Sequence, residues 1–351
     1  MTEPGEPKGL MDAGERGEAL PSALTGSLVF ASVAVGVSAF AATLGGGLAP
    51  WVSGLALLAG VLVGALAWSA TADPAGDAPV GALTGWVRNL TPAEGAALAL
   101  FAAVSLRQFG WILFERGGLL ETLLANNYGD LPLHWTYSRF FASGAPFWPE
   151  NPIISGERLR YPFGVDLLTA LLLSLGAGMR ALLPLMGLAG AALSAVALRR
   201  WGGALAVAGF LFSGGLAGLE QDAVAWKTLY LALFVPQRGF LLALPAGLLL
   251  LWSWRRRLLR GEAGLPPWVE GVLWGALPLV HLHTFLVVSV LYAVWALGGG
   301  RLAAAWSTLG WAVVPATWGV WQVSDGFRAV GLLGWAPGWM IGDAHPLLFL
   351  L

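Results

Sequence analysis

Long runs of uncharged apolar residues dominate this sequence and restrict what the chain can fold into. Two of them, 27–44 and 51–70, contain no charged side chain, and each lies within the roughly 17–25 residues that a helix needs to cross a bilayer. Only 11% of the 351 residues are charged, against about 25% in soluble domains. So few charged residues could not cover the surface of a soluble protein of this size. The sequence therefore predicts an integral membrane protein.

We expect an all-α, polytopic transmembrane bundle, because backbone polar groups in lipid must be paired within helices. Thr91-Pro92-Ala93-Glu94 has the pattern of a helix start, with Thr91 as N-cap. Further spans are predicted at 93–114, 181–198, 204–219, 240–254, 271–297 and 302–323.

The N-terminal segment of the chain differs in composition from the rest. Residues 1–23 are polar and acid-rich, and we expect a disordered cytoplasmic tail there. Residues 24–351 form one transmembrane domain of nine or so spans. The segment 345–351 is apolar and has no polar stop, which suggests that the chain ends inside a further helix and is truncated at the C-terminus.

Charge and cysteine content exclude several classes of function. The net charge is -1, so there is no basic field to hold a nucleic acid. The chain has no cysteine, which excludes thiolate catalysis, disulfides, iron–sulfur clusters and cysteine-type zinc sites. The 19 tryptophans suit membrane interfaces and sugar-stacking surfaces equally well.

Two arginine clusters predict the orientation of the chain. One consists of Arg255, Arg256, Arg257 and Arg260, and the other is Arg199-Arg200. Cytoplasmic loops carry an excess of basic residues, so both clusters are expected inside. That choice places the N-terminus in the cytoplasm and the long loop 115–180 outside. The scarcity of lysine indicates a bacterial source, and hence the inner (plasma) membrane.

The loop 115–180 is the first extracytoplasmic loop of this topology, and it concentrates the charge that the rest of the chain lacks. Within it, 131–141 and 165–175 have helical periodicity but are too short to span. We interpret both as amphipathic helices that lie at the membrane interface.

Asp130 and His134 form the sharpest polar constellation in this loop. If a helix begins near Leu131, Asp130 is its N-cap and His134 lies one turn further on the same side. A carboxylate and an imidazole so placed could share a proton or a metal ion, or hold a pyrophosphate-type substrate. On spacing alone, a simple cap and an interfacial polar group explain the pair equally well.

A second group of candidates follows the span 204–219. Glu220 and Asp222 are two acids two residues apart, and Lys227 is the only lysine outside the tail. Arg238 stands at the start of the next span, where a guanidinium can face a lipid phosphate. The alternative is a solvated loop with ordinary interfacial charges.

His281 and His283 lie in the apolar run 271–297. On a regular helix their side chains would point about 200° apart, so both face one site only if the helix breaks between Pro278 and Phe285. With His134 and Asp130 they would offer ligands that suit Mn or Zn. We favour packing and hydrogen bonding over a divalent metal site and assign no certain cofactor, but we expect both histidines to lie beside the active site and to contribute to substrate binding.

The loop as a whole resembles the first extracytoplasmic loop of the GT-C glycosyltransferase superfamily, which includes protein O-mannosyltransferases and lipid A aminoarabinose transferases. The resemblance rests on an aspartate before an amphipathic helix, a proline-containing stretch, a second amphipathic helix ending in glycine, and an arginine before the next span. These parts are Asp130, 131–141, Tyr161-Pro162-Phe163-Gly164, 165–175 with Gly176, and Arg180. The pattern covers roughly 95–300, and one departure is that two spans precede the span before the loop.

The resemblance implies an inverting membrane glycosyltransferase. It would move a sugar from a polyprenyl-phosphate donor to an acceptor hydroxyl on the extracytoplasmic face, with Asp130 as catalytic base. The departing phosphate needs positive charge, for which Arg139, Arg158, Arg160 and Lys227 are the candidates. Glu220 and Asp222 resemble the second acidic motif of the superfamily. Its partners would be the lipid-linked donor and membrane lipids.

Two other classes of function remain open. One is a transporter or flippase for a lipid-linked substrate, and the other is a non-enzymatic membrane scaffold. A transporter places ionisable groups within several of its transmembrane helices, near the middle of the bilayer. Here they concentrate in two loops on one predicted side, which favours an interfacial active site.

Overall fold

The computed structural model describes residues 20–72, 86–122, 127–213 and 228–328. This part of the chain is a helical bundle with one two-stranded antiparallel hairpin. The helices are α1 (Leu20–Gly45), α2 (Pro50–Thr71), α3 (Pro92–Gly110), α4 (Asn127–Ala142), α5 (Gly164–Ser174), α6 (Met179–Phe212), α7 (Phe240–Trp254), α8 (Pro267–Val280), α9 (Leu282–Gly298) and α10 (Leu302–Val323). The strands are β1 (Phe114–Arg116) and β2 (Leu119–Glu121), and π-helical segments span Tyr230–Phe234 and Arg255–Arg260.

Three of these helices are long and apolar enough to cross a membrane: Ser22–Gly45 within α1, Pro50–Thr71 and Met179–Phe212. The described chain therefore has the character of a membrane protein with an all-α fold. The predicted tail falls mostly on residues 1–19 and the predicted C-terminal helix on 329–351, and both segments lie outside the described residues.

Helices α1 and α2 form a hairpin in which their backbones approach closely. A Cβ on Gly64 would lie 2.8 Å from the carbonyl oxygen of Gly26, and a Cβ on Gly60 would lie 2.8 Å from that of Phe30. Gly60 and Gly64 stand four residues apart, the spacing that lets membrane helices pack backbone to backbone. Close van der Waals contact rather than charge therefore holds this hairpin together.

Helix α3 packs antiparallel to the part of α6 that precedes the non-helical residues Gly202 and Gly203. At the start of α3, Thr91 accepts from the backbone N–H of Glu94, and the Glu94 carboxylate accepts from the Thr91 N–H, so the predicted capping of this helix is confirmed. The same carboxylate lies 3.1 Å from Nε of Arg199 on α6. At the other end, the ring of Phe109 packs against Gly187.

Helices α7 to α10 enclose the main apolar core around Trp254, whose ring contacts those of Trp274 and Tyr292. A buried polar network crosses this core. Glu270 on α8 is fully buried; it accepts from Ser253 on α7 at 2.5 Å, from Thr308 on α10 and from Arg257, which follows α7. One carboxylate on α8 thus joins the end of α7, the segment after it and α10.

The two arginine clusters lie at the same end of the bundle. Arg200 lies 3.9 Å and Arg256 5.2 Å from the centre of the Trp252 ring. Helix α7 has 15 residues between Arg238 and this cluster, a length of about 22 Å. Arg238 and the elements around it therefore lie at the opposite end of the bundle.

Helices α4 and α5 and the loop between them cover that opposite end. The loop is closed on itself by Trp148 Nε1, which donates to the Leu159 carbonyl at 3.1 Å, and by a backbone bridge between Glu150 and Arg158. An aromatic cluster of Phe141, Phe147, Trp148 and Phe163 packs beneath it. The predicted short helix at 165–175 is confirmed to within one residue.

Two predicted boundaries differ from the structure. The span expected at 93–114 ends at Gly110, and the β1–β2 hairpin follows, turning at Gly117 and Gly118, whose φ angles are positive. The break expected between the spans 181–198 and 204–219 is confirmed, because the backbone is non-helical at Gly202 and Gly203 within Met179–Phe212, and residues 214–219 lie outside the described residues.

The second difference concerns Asp130. Helix α4 begins at Asn127, so Asp130 lies in its first turn and is not its N-cap. The boundary was wrong because the apolar pattern begins only at Leu131 and does not register the polar first turn of the helix.

Candidate functional site

Three elements converge at the end of the bundle where α7 begins, and two glycines permit the approach. A Cβ on Gly164, the first residue of α5, would lie 2.9 Å from the carbonyl oxygen of Leu279 on α8. A Cβ on Gly239, just before α7, would lie 2.3 Å from the carbonyl oxygen of Val280. The starts of α5 and α7 thus press against the end of α8, and each carries an ionisable residue close by, Asp166 and Arg238.

The centre of this region is a hydrogen-bonded pair of side chains between α4 and α5. His134 Nδ1 lies 2.9 Å from both carboxylate oxygens of Asp166, and both side chains are at most 3% exposed. A carboxylate accepts but does not donate hydrogen bonds, so Nδ1 carries the hydrogen. His134 Nε2 is buried and makes no hydrogen bond. The pair fixes the imidazole with Nε2 directed away from the carboxylate.

Tyr161 connects this pair to Asp130. Its ring centre lies 6.1 Å from that of His134 and 5.4 Å from that of Tyr137. Burial, together with the nearby carboxylates of Asp166 and Asp130, raises the pKa of Tyr161 far above its ordinary value. The phenol therefore stays protonated, and Asp130, which is partly buried, is close enough to Tyr161 to act on it electrostatically.

Arg238 supplies a positive charge at this end of the bundle. Its side chain is 1% exposed and lies within electrostatic range of Asp166. Nη2 donates to the Leu183 carbonyl at 3.4 Å, whereas Nε and Nη1 are buried without a hydrogen-bond partner. A buried donor without a partner costs free energy. An anion or another acceptor group that binds to Nε and Nη1 would remove this cost, so the guanidinium of Arg238 is suited to bind one.

His281 separates α8 from α9. Its φ of -161° and ψ of 98° are extended, and the predicted break between Pro278 and Phe285 is confirmed. Nδ1 accepts from the backbone N–H of Thr284 at 3.2 Å and so caps α9, while Nε2 lies 3.4 Å from Oε1 of Gln237. His281 therefore adjoins the residue before Arg238, whereas His283 is exposed and lies 5.6 Å from His281 between ring centres.

The remaining predicted site residues lie elsewhere. Arg139 is exposed and stacks on Trp135 at 5.8 Å from the ring centre. Arg160 pairs with Asp325, which follows α10, at 3.4 Å. Glu220, Asp222 and Lys227 lie outside the described residues.

The structure does not assemble a metal centre from the described residues. Within 20–72, 86–122, 127–213 and 228–328, no three histidine, aspartate or glutamate side chains are placed to hold one ion. The imidazole nitrogens of His281 are turned to Thr284 and Gln237, and Nδ1 of His134 to Asp166.

Sequence reasoning missed Asp166, Tyr161 and Asp325 as functional candidates. Asp166 carried a usable signal, because it is the only charged residue in the apolar helix Gly164–Ser174, and an ionisable residue in such a segment needs a partner. Tyr161 and Asp325 carried no such signal in the sequence, since both are single polar residues in loops.

Comparison of the chain with protein-family models, with curated proteins and with solved structures finds no significant match. Its function is therefore argued from the residues above.

Proposed function

We propose that this chain is a membrane glycosyltransferase of the GT-C type. It moves a sugar from a polyprenyl-phosphate donor to an acceptor hydroxyl on the extracytoplasmic face, with inversion and with Asp130 as general base. The observation that carries this proposal is the gathering of Asp130, the His134–Asp166 pair and Arg238 at one end of the bundle. Such a reaction needs a base and a positive charge near each other.

Asp130 has the features that the base requires. It is partly buried in the first turn of a short helix and adjoins the protonated phenol of Tyr161. Its carboxylate takes the proton of the acceptor hydroxyl as the hydroxyl oxygen bonds to the anomeric carbon. The bond from that carbon to the phosphate oxygen breaks, and polyprenyl phosphate leaves. The His134–Asp166 pair joins α4 to α5 and so serves to position Asp130.

Arg238 is the cation for the departing phosphate. Two of its guanidinium nitrogens are buried without a hydrogen-bond partner, and a guanidinium binds phosphate oxygens through paired donors. Arg139 is exposed, and Arg160 is paired with Asp325, so both are weaker choices. Substrate-binding roles for Glu220, Asp222 and Lys227 remain part of the proposal, as do supporting roles for His281 and His283.

The proposal includes a topology in a bacterial inner membrane. The site end of the bundle faces outside, and the end that carries Arg199, Arg200 and the cluster 255–260 faces the cytoplasm together with the N-terminus. The clustering of arginines at 199–200 and 255–260 supports this orientation.

A transporter of a lipid-linked substrate is the second candidate. The buried pair of Arg257 and Glu270 favours it, because ionisable groups inside a membrane bundle often mark a pathway. Glu270, however, also accepts from Ser253 and Thr308, which is the pattern of a structural network. The enzyme therefore remains the better-supported proposal.

The test of the proposal is Asp130→Asn in the full chain. Membranes that contain the protein are supplied with polyprenyl-phosphate hexoses carrying a labelled sugar, and release of polyprenyl phosphate is measured together with transfer of the label. The variant should lose about 100-fold or more of this turnover. Stability should fall by only about 0.3–1 kcal/mol, from the lost interaction of the charge with the helix start.

Glu150→Gln is the matched control, because Glu150 is an exposed acid in the same loop region. It should retain full turnover. Turnover by a folded Asp130→Asn protein that equals the control would remove Asp130 as the base, and no turnover by the unaltered chain with any donor would argue for the transporter.

A further inference from the structure

The loop after α4 and the end of α10 enclose a cavity of about 660 Å³, within the usual range of roughly 300–1,000 Å³ for ligand pockets. Its lining includes three arginines, Arg158, Arg160 and Arg328, and two acids, Glu157 and Asp325. Three positive and two negative groups leave an excess of one positive charge. None of Asp130, His134, Asp166 or Arg238 belongs to this lining, so the cavity is separate from the candidate active site.

Asp325 arranges two of the arginines. Its carboxylate lies 3.5 Å from Arg158 Nη1 and 3.4 Å from Arg160 Nη2, and its side chain is 13% exposed. The two arginine side chains are 53% and 43% exposed. Each guanidinium has five N–H donors and turns one nitrogen to Asp325. Further donors thus remain for an anion with several oxygens, which is the chemistry of a phosphate group.

The turn that carries Asp325 is strained. Asp325, Gly326 and Phe327 have φ angles of 51°, 73° and 61°. Left-handed backbone is unfavourable for residues other than glycine, and it persists where surrounding contacts enforce it. The turn is held by Ser324, whose hydroxyl accepts from the Phe327 N–H at 3.1 Å. As a result Asp325 faces the arginines while Phe327 is 58% exposed.

An apolar groove of about 420 Å³ continues from the cavity along α10. Trp321 lines both spaces, and Phe327 lines the groove. The groove reaches Val314 and Val313, and Val313 is eight residues before Trp321 and hence about 12 Å away along the helix. Val314 is 72% exposed, so this face of α10 is open to the hydrocarbon of a bilayer.

We propose that this composite surface is a binding site for an anionic phospholipid of the surrounding bilayer. The phosphate head group lies between Arg158, Arg160 and Arg328, and an acyl chain lies along α10 between Val314 and Trp321. Charge complementarity and the continuity of the arginine-lined cavity with the apolar groove select a ligand that carries both an anion and a hydrocarbon chain. Basic pockets beside membrane helices bind lipid head groups in this manner.

The site has a structural consequence for the neighbouring loop. Arg160 directly precedes Tyr161, which adjoins Asp130. A phospholipid held by Arg158 and Arg160 therefore fixes one face of the loop while Tyr161 lies at the other. The lipid is an accessory ligand, and its binding does not depend on the reaction proposed above.

The test uses the full chain in phosphatidylcholine nanodiscs that contain a small fraction of phosphatidylglycerol with a diazirine on its acyl chain. Photolysis should label peptides within residues 313–328. Replacing Arg158, Arg160 and Arg328 with glutamine should reduce this labelling at least about fivefold. Glu157→Gln, which removes an acid that pairs with Arg160 at 3.5 Å, should increase it, so the two variants shift the labelling in opposite directions.

Arg116→Gln is the control, because Arg116 is an arginine with a side chain 74% exposed that pairs with Glu121 outside the cavity; its labelling should equal that of the unaltered chain. Equal labelling by a diazirine phosphatidylcholine would overturn the proposal. Displacement of phosphatidylglycerol by an equal amount of polyprenyl phosphate would also overturn it and assign the cavity to the lipid donor.

Discussion

His134 and Asp166 are 32 residues apart in the sequence, yet Nδ1 of the histidine lies 2.9 Å from both carboxylate oxygens of the aspartate in the interior of the protein. The contact ties α4 to α5 at the end of the bundle where Arg238 is buried. Helices α4 and α5 are too short to span a membrane by themselves, so this pair accounts for much of their fixed relation to each other.

A double-mutant cycle tests the strength of the pair. Asp166→Asn and His134→Gln should each destabilise the protein, because each leaves a buried polar partner poorly satisfied. The double variant should recover part of the loss and give a coupling free energy of about 1.5–3 kcal/mol, as expected for a hydrogen bond to a charged group. Chemical denaturation in detergent provides the measurement, and additivity within about 0.5 kcal/mol would show that the two side chains act independently.

Single cysteines test the topology, since the chain has no cysteine of its own. Ser143 and Glu262 are both exposed, the first just after α4 and the second just after the arginine cluster. We expect a membrane-impermeant maleimide to label Ser143→Cys on intact cells and Glu262→Cys only after permeabilisation. Labelling of both positions on intact cells, or of neither, would contradict the proposed orientation.

Glycine substitutions test the packing of α1 on α2. Gly64→Ala would bring a Cβ to 2.8 Å from the Gly26 carbonyl oxygen, whereas Gly54 on the same helix has nothing within 4 Å. We expect Gly64→Ala to lose about 1–3 kcal/mol of stability through overpacking. Gly54→Ala should be neutral or gain up to about 1 kcal/mol from the higher helix propensity of alanine. Thermal unfolding in detergent distinguishes the two, and equal effects would show that the helices are not in close contact.

The sequence pattern predicts where the helices lie better than it predicts the tertiary contacts between them. The apolar runs at 240–254 and 302–323 coincide with α7 and α10. Thr91 and Glu94 cap α3 as their spacing indicates, and Pro278 with two histidines marks the break at His281. These features depend on local backbone chemistry, which a single sequence displays directly.

The candidate site was only partly predictable, because its contacts are tertiary. Asp130 and His134 stand out by spacing, but nothing in the sequence assigns His134 to Asp166 or Arg160 to Asp325, 165 residues away. The β1–β2 hairpin was missed because strands of three residues are too short to establish an alternating pattern. Gly117-Gly118 was the available signal, since paired glycines favour hairpin turns.

The carboxylate of Glu270 accepts from side chains at the end of α7, just after α7 and on α10. These parts of the chain do not separate one at a time, since loss of Arg257 leaves a buried charge without compensation, and loss of Ser253 or Thr308 leaves the carboxylate short of a hydrogen bond. Regions linked in this way open together as a single cooperative unit. When denaturing conditions are increased gradually, we therefore expect the half of the bundle formed by α7 to α10 to unfold in one step. The loop between α4 and α5, at the other end, should unfold before it.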